Sequence, residues 1–177
     1  MKSKLILCLV YLLLNLFNFV HNATAEINIY EKPRELPKSK IINRNGDIFD
    51  LSDFKGDFVL AHFWSRDCAP CIKELKSLNN FHNLVKKDGI RLILISPQSE
   101  WFDMNEQSNF LKRYGATDLE FYVDKNDNLT ADFGIFTTPL TVVINEKNKE
   151  IGRLRGSETW DKRKVTKFIK ELKKNSN

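Results

Sequence analysis

The stretch Phe58-Val-Leu-Ala-His-Phe-Trp64-Ser-Arg-Asp-Cys68-Ala-Pro-Cys71 joins an apolar run to two cysteines that are separated by two residues. The run has the length and composition of a buried strand, and the apolar spacing after Cys71 predicts a helix that begins around Ile72. If the first sulfur lies at the start of that helix, unpaired backbone N–H groups and the helix dipole stabilise its thiolate. Because the thiolate is the form that attacks disulfides, this stretch predicts thiol–disulfide exchange chemistry.

The N-terminal 25 residues have the pattern of a targeting segment. Lys2 and Lys4 precede an apolar run over residues 5–20, and Ala23-Thr-Ala25 offers a small-residue cleavage site. This order predicts a secretory signal peptide over residues 1–25 and therefore a periplasmic protein. The alternative is an uncleaved anchor that holds the protein at the inner membrane, facing the periplasm, although the run is near the short limit for spanning a bilayer.

Cysteine usage agrees with a catalytic pair. The chain has three cysteines, and Cys8 lies inside the predicted signal peptide, so the mature protein would keep only Cys68 and Cys71. A single closely spaced pair in an exported protein does not form a disulfide-stapled scaffold. The formal charge of +5 falls to +3 without the two N-terminal lysines, and the remaining basic excess is concentrated in residues 162–174. We interpret that run as a solvated helix face and expect neither nucleic-acid nor membrane-surface binding from it.

The rest of the chain predicts one α/β domain over residues 40–177, preceded by a polar, extended linker over residues 26–39. Asn45-Gly46 lies between two apolar pairs and predicts an N-terminal hairpin. Strands alternate with helices after it, which implies a sheet with helices on both faces. The predicted later strands are 90–95, 121–123, 140–144 and an edge strand at 150–154, and the predicted later helices are 101–114, 128–133 and 165–172.

The cysteine segment resembles the active-site segment of the thioredoxin superfamily. Leu51-Ser-Asp-Phe-Lys-Gly56 upstream, Lys73-Glu74 downstream and an extra helix and strand between Ile95 and Val123 are similar to the TlpA/ResA branch of exported thiol–disulfide oxidoreductases. Phe133-Gly-Ile-Phe-Thr-Thr-Pro139 resembles the cis-proline loop of the superfamily. The resemblance implies a thioredoxin-like fold with a central mixed β-sheet.

The resemblance also implies roles for the matching residues. Cys68 is the expected nucleophile, and Cys71 the residue that resolves the mixed disulfide. Pro70 lacks an N–H group and fits the first turn of a helix without loss. The bond before Pro139 is expected to be cis, so that Thr138 presents its backbone to a substrate chain.

Three residues near the pair are candidates for tuning its chemistry. His62 stands where many thioredoxins have a buried Asp and TlpA-type proteins often have Asn; it is either a proton acceptor for Cys71 or a core histidine bonded to backbone. Glu74, one turn past Cys71, is a second candidate for the proton relay, or else a solvent-facing helix residue. Asp67 replaces an aromatic residue, and its charge is expected to raise the pKa of the Cys68 thiol, with Arg66 offsetting the effect.

The predicted function is therefore reduction of specific protein disulfides, such as those of apocytochrome c or of copper-site assembly proteins, as the resemblance implies. The predicted partners are these protein substrates and an electron donor in the membrane or periplasm; no cofactor and no metal ion are expected. The alternatives are a disulfide-forming oxidase, a copper-binding chaperone-like module, and a peroxidase. A zinc site would need two more ligands, and outside the predicted signal peptide only His62 and His82 are available besides carboxylates.

Overall fold

The computed structural model describes residues 25–176. The predicted signal peptide or anchor, including Cys8, lies outside the described residues except for Ala25. None of the helices formed by residues 25–176 combines the length and the apolar character that a membrane crossing requires.

One mixed sheet organises the described residues. Its order is β1-β8-β7-β4-β5-β6-β2-β3. The strands are β1 (Glu26–Arg34), β2 (Ile41–Asn43), β3 (Ile48–Phe49), β4 (Phe58–Phe63), β5 (Ile90–Pro97), β6 (Glu120–Asp124), β7 (Leu140–Ile144) and β8 (Glu150–Arg155). The helices are α1 (Ala69–Val85), α2 (Met104–Arg113), α3 (Asn128–Asp132) and α4 (Arg163–Asn175), with short 3₁₀ turns at Leu51–Phe54, Lys86–Asp88, Gln98–Glu100 and Lys125–Asp127.

Strand β4 is the centre of the fold. It pairs in parallel with β5 and antiparallel with β7, and all six of its residues are buried. Burial on both faces explains why its sequence is an almost continuous apolar run, since a side chain on either face must enter a core. The carboxyl end of β4 therefore delivers the cysteine segment to an edge of the sheet that has loops from β5 and β7 on either side.

Helices cover both faces of the sheet, as predicted, but unequally. The cluster that contains Leu60 and Trp64 includes residues of the three longer helices α1, α2 and α4. The cluster that contains Ala61 and Phe63 is closed instead by the 3₁₀ turn Leu51–Phe54 and the short helix α3. Period-2 alternation along β4 thus sends successive side chains into two separate cores.

The N-terminal hairpin is confirmed. Strands β2 and β3 pair antiparallel on either side of the Asn45-Gly46 turn. Gly46 has a φ of 88°, a backbone conformation that residues other than glycine rarely adopt. The side chain of Asn43 closes the turn, because its Oδ1 accepts from the amides of Asn45 and Asp47 at 2.9 Å each.

The linker prediction for residues 26–39 is wrong for its first nine residues. Residues 26–34 form β1, which pairs antiparallel with β8 at the sheet edge. The two strands can approach each other closely there because residue 152 is a glycine: a Cβ at this position would lie only 2.6 Å from the carbonyl oxygen of Asn28. The Tyr30 hydroxyl also links the strands, since it donates to Glu150 Oε1 at 2.8 Å. As a result β8, predicted as an edge strand, is an interior strand between β1 and β7.

Candidate active site

Cys68 occupies the N-cap position of α1. The helix begins at Ala69, three residues earlier than predicted, and Pro70 lies in its first turn. The Cys68 sulfur accepts a hydrogen bond from the backbone N–H of Cys71 at 3.3 Å. An anionic sulfur at this position would receive both that N–H and the positive end of the helix dipole. The local geometry therefore stabilises a thiolate on Cys68.

The two cysteines form a disulfide with a Cα–Cα distance of 5.3 Å. They differ in access: Cys68 is partly exposed, whereas Cys71 has no solvent-accessible surface. An external disulfide can therefore reach only the first sulfur. The second lies in the same core cluster as Leu75 and Trp64, within bonding range of the first.

The loop before β7 lies beside this pair. The Thr138–Pro139 peptide bond is cis, Pro139 is buried and Thr138 is partly exposed. Leu140 is the register partner of Phe63, the last residue of β4, which puts the loop at the strand end that leads to Cys68. The Pro139 carbonyl accepts from the Gly156 amide at 2.9 Å, so the loop is tied to the sheet on its other side.

A buried ion pair holds the base of the same loop. Arg153 Nη1 donates to the carbonyl oxygen of Phe133 at 2.9 Å, and its Nε donates to Glu150 Oε1 at 2.6 Å. The pKa of Arg153 is raised, since the opposing effect of burial is outweighed by its bonds to Glu150. This link joins β8, and through Tyr30 also β1, to the start of the cis-proline loop.

His62 and Glu74 meet beneath the cysteine pair. Both are almost completely buried, at 1% and 3% exposure, and His62 Nε2 lies 3.4 Å from Glu74 Oε1. Among the described residues neither atom has a standard hydrogen-bond partner. The other ring nitrogen, Nδ1, is 2.9 Å from the Thr141 hydroxyl. His62 is therefore not bonded to backbone, and the two proposed relay residues are brought together.

Glu74 is not a solvent-facing helix residue. Its Oε2 accepts from Trp160 Nε1 and from the amide of Glu158, both at 2.9 Å. The Trp160 ring also packs edge-on against the His62 ring, with 5.8 Å between centroids. Since Glu74 lies three residues after Cys71 on the inner face of α1, the carboxylate is placed one turn behind the resolving sulfur.

The surroundings of Asp67 differ from the prediction in one respect. Asp67 is exposed, but the Arg66 guanidinium turns to other partners: Nη1 donates to Glu106 Oε1 at 2.8 Å and to the Glu100 carbonyl at 2.9 Å. The guanidinium also lies over the Trp101 ring, 4.8 Å from its centroid. The proposed offset of the Asp67 charge by Arg66 is therefore weak, because that cation is already paired.

Comparison with known proteins settles the family. The sequence profile of the Redoxin family matches residues 32–169, most of the chain. The chain belongs to the Redoxin family. Among its relatives, thiol-disulfide oxidoreductase ResA of Bacillus thuringiensis subsp. konkukian (strain 97-27) is 28% identical over 141 residues, which are 78% of this chain and 77% of that protein. ResA of Bacillus subtilis (strain 168) is 26% identical over 125 residues, covering 71% and 68%.

Solved structures agree on the fold. A thiol:disulfide interchange protein from Bacteroides sp. superposes with a TM-score of 0.65 at 20% identity, covering 82% of this chain and 92% of that one. StoA from Bacillus subtilis gives a TM-score of 0.57 at 21% identity, covering 84% and 97%. This Redoxin family member is thus a TlpA/ResA-like protein of the thioredoxin superfamily, and the Cys68–Cys71 couple makes it a thiol–disulfide oxidoreductase.

Several residues of the site could not be found from the sequence. In this Redoxin family member, the buried pocket consists of His62 and Glu74 with the groups that bond to them, which come from Thr141, Trp160 and Glu158. These three residues lie 79 to 86 positions from His62 or Glu74 in the chain. Strand alternation is the one sequence pattern that bears on Thr141, and it places this residue beside His62 only once β7 is known to pair with β4. Within residues 25–176 no group of three or more His, Cys, Asp or Glu side chains is arranged to hold a metal ion.

Proposed function

We propose that this protein is an exported reductant of specific protein disulfides. The observation that carries the proposal is the asymmetry of the pair: a partly exposed Cys68 at a helix N-terminus, bonded to a fully buried Cys71. One sulfur meets the substrate and the other completes the reaction inside the protein. The structure holds the oxidised state, which is the product of the reducing reaction.

In the reduced protein the Cys68 thiolate attacks one sulfur of a substrate disulfide. A bond forms between that sulfur and Cys68 Sγ, and the second substrate sulfur leaves as a thiolate. The Cys71 thiol then loses its proton and attacks Cys68 Sγ. This forms the Cys68–Cys71 disulfide and releases the first substrate sulfur, so two electrons have passed to the substrate. A dithiol donor protein must reduce the pair again by the reverse exchange.

The Cys71 proton needs an internal acceptor, since its sulfur has no contact with solvent. Glu74 and His62 supply one, because Glu74 lies one helical turn after Cys71 and the facing atoms of the two buried side chains, 3.4 Å apart, lack other hydrogen-bond partners among the described residues. A proton taken up there can be shared between the carboxylate and the imidazole. The Thr141 hydroxyl fixes the orientation of the ring from the other side.

We base the direction of electron flow on the similarity to the TlpA/ResA branch and on Asp67. An exposed carboxylate next to Cys68, with Arg66 committed to Glu106, disfavours the thiolate relative to an uncharged neighbour. A less stable thiolate lowers the stability of the reduced form and makes the couple more reducing. A reduction potential below about −220 mV supports a reductant, whereas one near about −120 mV identifies the protein as a disulfide-forming oxidase.

The substrates we propose are exported proteins with a reducible disulfide, of the kind formed in apocytochrome c and in copper-site assembly proteins. Thr138 and Pro139 would receive the substrate backbone beside the mixed disulfide. The N-terminal pattern of residues 1–25 supports export, either to the periplasm or to the periplasmic face of a membrane. The electron donor would be a membrane or periplasmic dithiol protein.

Trapping tests this function directly. In Cys71→Ser the mixed disulfide on Cys68 cannot be resolved, so it should accumulate on incubation with protein extracts of the exported compartment and identify the substrate by mass spectrometry. Cys68→Ser is the matched control and should trap nothing, because Cys71 is buried. Equal trapping by both variants, or no disulfide reduction by the wild-type protein, would refute the proposal.

A further inference from the structure

Trp160 is the one tryptophan of the described residues whose indole N–H donates to a carboxylate. Its Nε1 lies 2.9 Å from Glu74 Oε2, and the Glu158 amide donates to the same oxygen at 2.9 Å. The other carboxylate oxygen, Oε1, has no standard hydrogen-bond partner among residues 25–176 and faces His62 Nε2 at 3.4 Å. The two oxygens of Glu74 are therefore unequal, because two donors occupy Oε2 whereas Oε1 can take up a proton.

Trp160 is held both by its ring and by its backbone. The residue is 1% exposed, and its ring packs against the rings of His62, with 5.8 Å between centroids, and Phe81, with 5.5 Å. Its backbone amide donates to Ser77 Oγ at 3.3 Å, and that hydroxyl donates to the Glu74 carbonyl at 2.9 Å. A shift of the indole N–H would therefore disturb both the helix that carries Glu74 and the ring of His62.

The segment that carries Trp160 is also attached to the active-site rim. It connects β8 to α4 and starts at Gly156, whose amide donates to the Pro139 carbonyl at 2.9 Å. Gly156 has a φ of 88°, which lets the chain turn there from β8 toward the buried pocket. The donor to Glu74 is therefore fixed relative to the cis-proline loop beside the cysteine pair.

The donors on Oε2 decide whether Glu74 can act as a base. A buried carboxylate remains charged only if hydrogen bonds replace the water that it has lost, and such bonds to charged groups are among the stronger ones in proteins. Only the charged carboxylate can take up a proton from Cys71. With Oε2 occupied by two donors, Oε1 is the oxygen that can receive it, next to His62.

We propose that Trp160 is a positioning residue for the resolving step: its indole N–H keeps Glu74 charged and leaves Oε1 as the atom that takes the Cys71 proton. The inference rests on the proposed function and assigns a residue and an atom within it. In this step the S–H bond of Cys71 breaks, and the proton goes to Oε1, where it is shared with His62 Nε2. The electron pair left on the sulfur attacks Cys68 Sγ, while the indole keeps its own proton throughout.

The test separates the two steps of the exchange in Trp160→Phe, which keeps an aromatic ring and removes the N–H. Reduced protein is mixed rapidly with a symmetrical aromatic disulfide whose thiolates absorb visible light. Attack by Cys68 releases the first thiolate, and resolution releases the second. Trp101→Phe is the matched control, since Trp101 is also buried and its Nε1 donates to the Ser96 hydroxyl at 2.8 Å instead of a carboxylate.

Resolution should slow about tenfold in Trp160→Phe, as expected for the loss of one hydrogen bond to a charged group, while the first attack should stay within about twofold and so show that the variant is folded. In Trp101→Phe the ratio of the two rates should match that of the wild type. The decisive variant combines Trp160→Phe with Glu74→Gln. Because Trp160 acts through Glu74, this double variant should resolve no more slowly than Glu74→Gln alone.

A spectroscopic measurement tests the hydrogen bond itself, without relying on the activity of a Trp160 variant. The chain has three tryptophans, so protein labelled with heavy nitrogen at the indoles gives three indole N–H signals by nuclear magnetic resonance. Replacing the Glu74 carboxylate by the amide of Gln weakens the acceptor of only one of these N–H groups. The Trp160 signal should therefore move in Glu74→Gln by more than the signals of Trp64 and Trp101.

Three outcomes would each overturn the proposal and assign Trp160 to the core alone. They are additive slowing in the double variant, equal slowing of both steps in Trp160→Phe, and a Trp160 indole signal that does not respond to Glu74→Gln. All three leave the proposed function standing. That function fails by a different result, namely that the reduced wild-type protein releases neither thiolate.

Discussion

Two carboxylates flank the cysteine pair, and they lie in opposite environments. Asp67 stands in solvent next to Cys68, whereas Glu74 is 3% exposed behind Cys71, against His62 and Trp160. A charge in water is screened, while one in the interior interacts strongly with its neighbours. The comparison indicates that the attack by Cys68 is tuned weakly from outside, and that the attack by Cys71 depends strongly on the buried pocket.

The largest effect is expected from Glu74→Gln. The amide oxygen of Gln can still accept from Trp160 and from the Glu158 amide, so the fold is kept, but the group no longer takes up a proton. Resolution of the mixed disulfide should slow about 100-fold at neutral pH, the usual contribution of a general base. Rapid-mixing assays of the second thiol released would measure this rate, and the first attack should be unchanged.

Glu171→Gln provides the matched control for that experiment, since Glu171 is an exposed carboxylate on α4 that pairs only loosely with Lys167 at 3.7 Å. It should leave both steps unaltered. An unchanged resolution rate in Glu74→Gln would mean that the buried carboxylate has a structural role only, and the contrast between the two carboxylates would disappear.

An intermediate effect is expected from His62→Asn. This change removes the second proton site but keeps a polar side chain within reach of Thr141. Resolution should slow about tenfold, less than the roughly 100-fold minimum usual for loss of a general acid or base, because Glu74 remains. A variant that is merely less stable, with the wild-type rate of resolution intact, would assign His62 to the core alone.

The smallest effect is expected from Asp67→Asn. Removing the exposed charge should lower the pKa of the Cys68 thiol and speed the first attack about twofold to threefold at neutral pH, as for a screened neighbouring charge. Ultraviolet titration of the thiolate would show the shift. The gain should shrink in high salt, whereas the Glu74→Gln defect should not. A gain that salt does not reduce would contradict the solvent-screened picture of Asp67.

The features that the sequence predicted are formed by residues close together in the chain, whereas those that it missed depend on residues far apart in the chain. The β4–α1 segment, the Asn45-Gly46 hairpin and the Leu140–Ile144 strand are short-range patterns, and the structure contains all three. Strand β1 was missed because Glu26–Arg34 is mostly exposed and gains its structure from β8, more than 110 residues later. A polar edge strand has little signal of its own.

The candidate site follows the same rule. Cys68 and Cys71 are only three residues apart, at the N-cap and in the first turn of α1, so their spacing in the sequence identified them. The pairing of Arg66 with Glu106 was not predicted because it joins the loop after β4 to the first turn of α2, 40 residues away. The sequence also did not decide whether Glu74 faces solvent or the interior. In the structure it faces the interior, where Trp160, 86 residues away, donates a hydrogen bond to it.

The direction of β1 has a practical consequence. Glu26 is paired with Arg155, and the neighbouring Gly156 donates to the Pro139 carbonyl, so the described chain starts at the catalytic rim of the sheet. The last turn of α4 lies at the other rim, where Lys173 bonds the carbonyls of Asp88 and Gly89. A tether attached ahead of Ala25 would therefore join the described domain at the rim of the sheet that carries the reactive disulfide. Affinity tags and immobilisation chemistry for assays of this protein therefore belong at the C-terminus, where they leave the approach to Cys68 open.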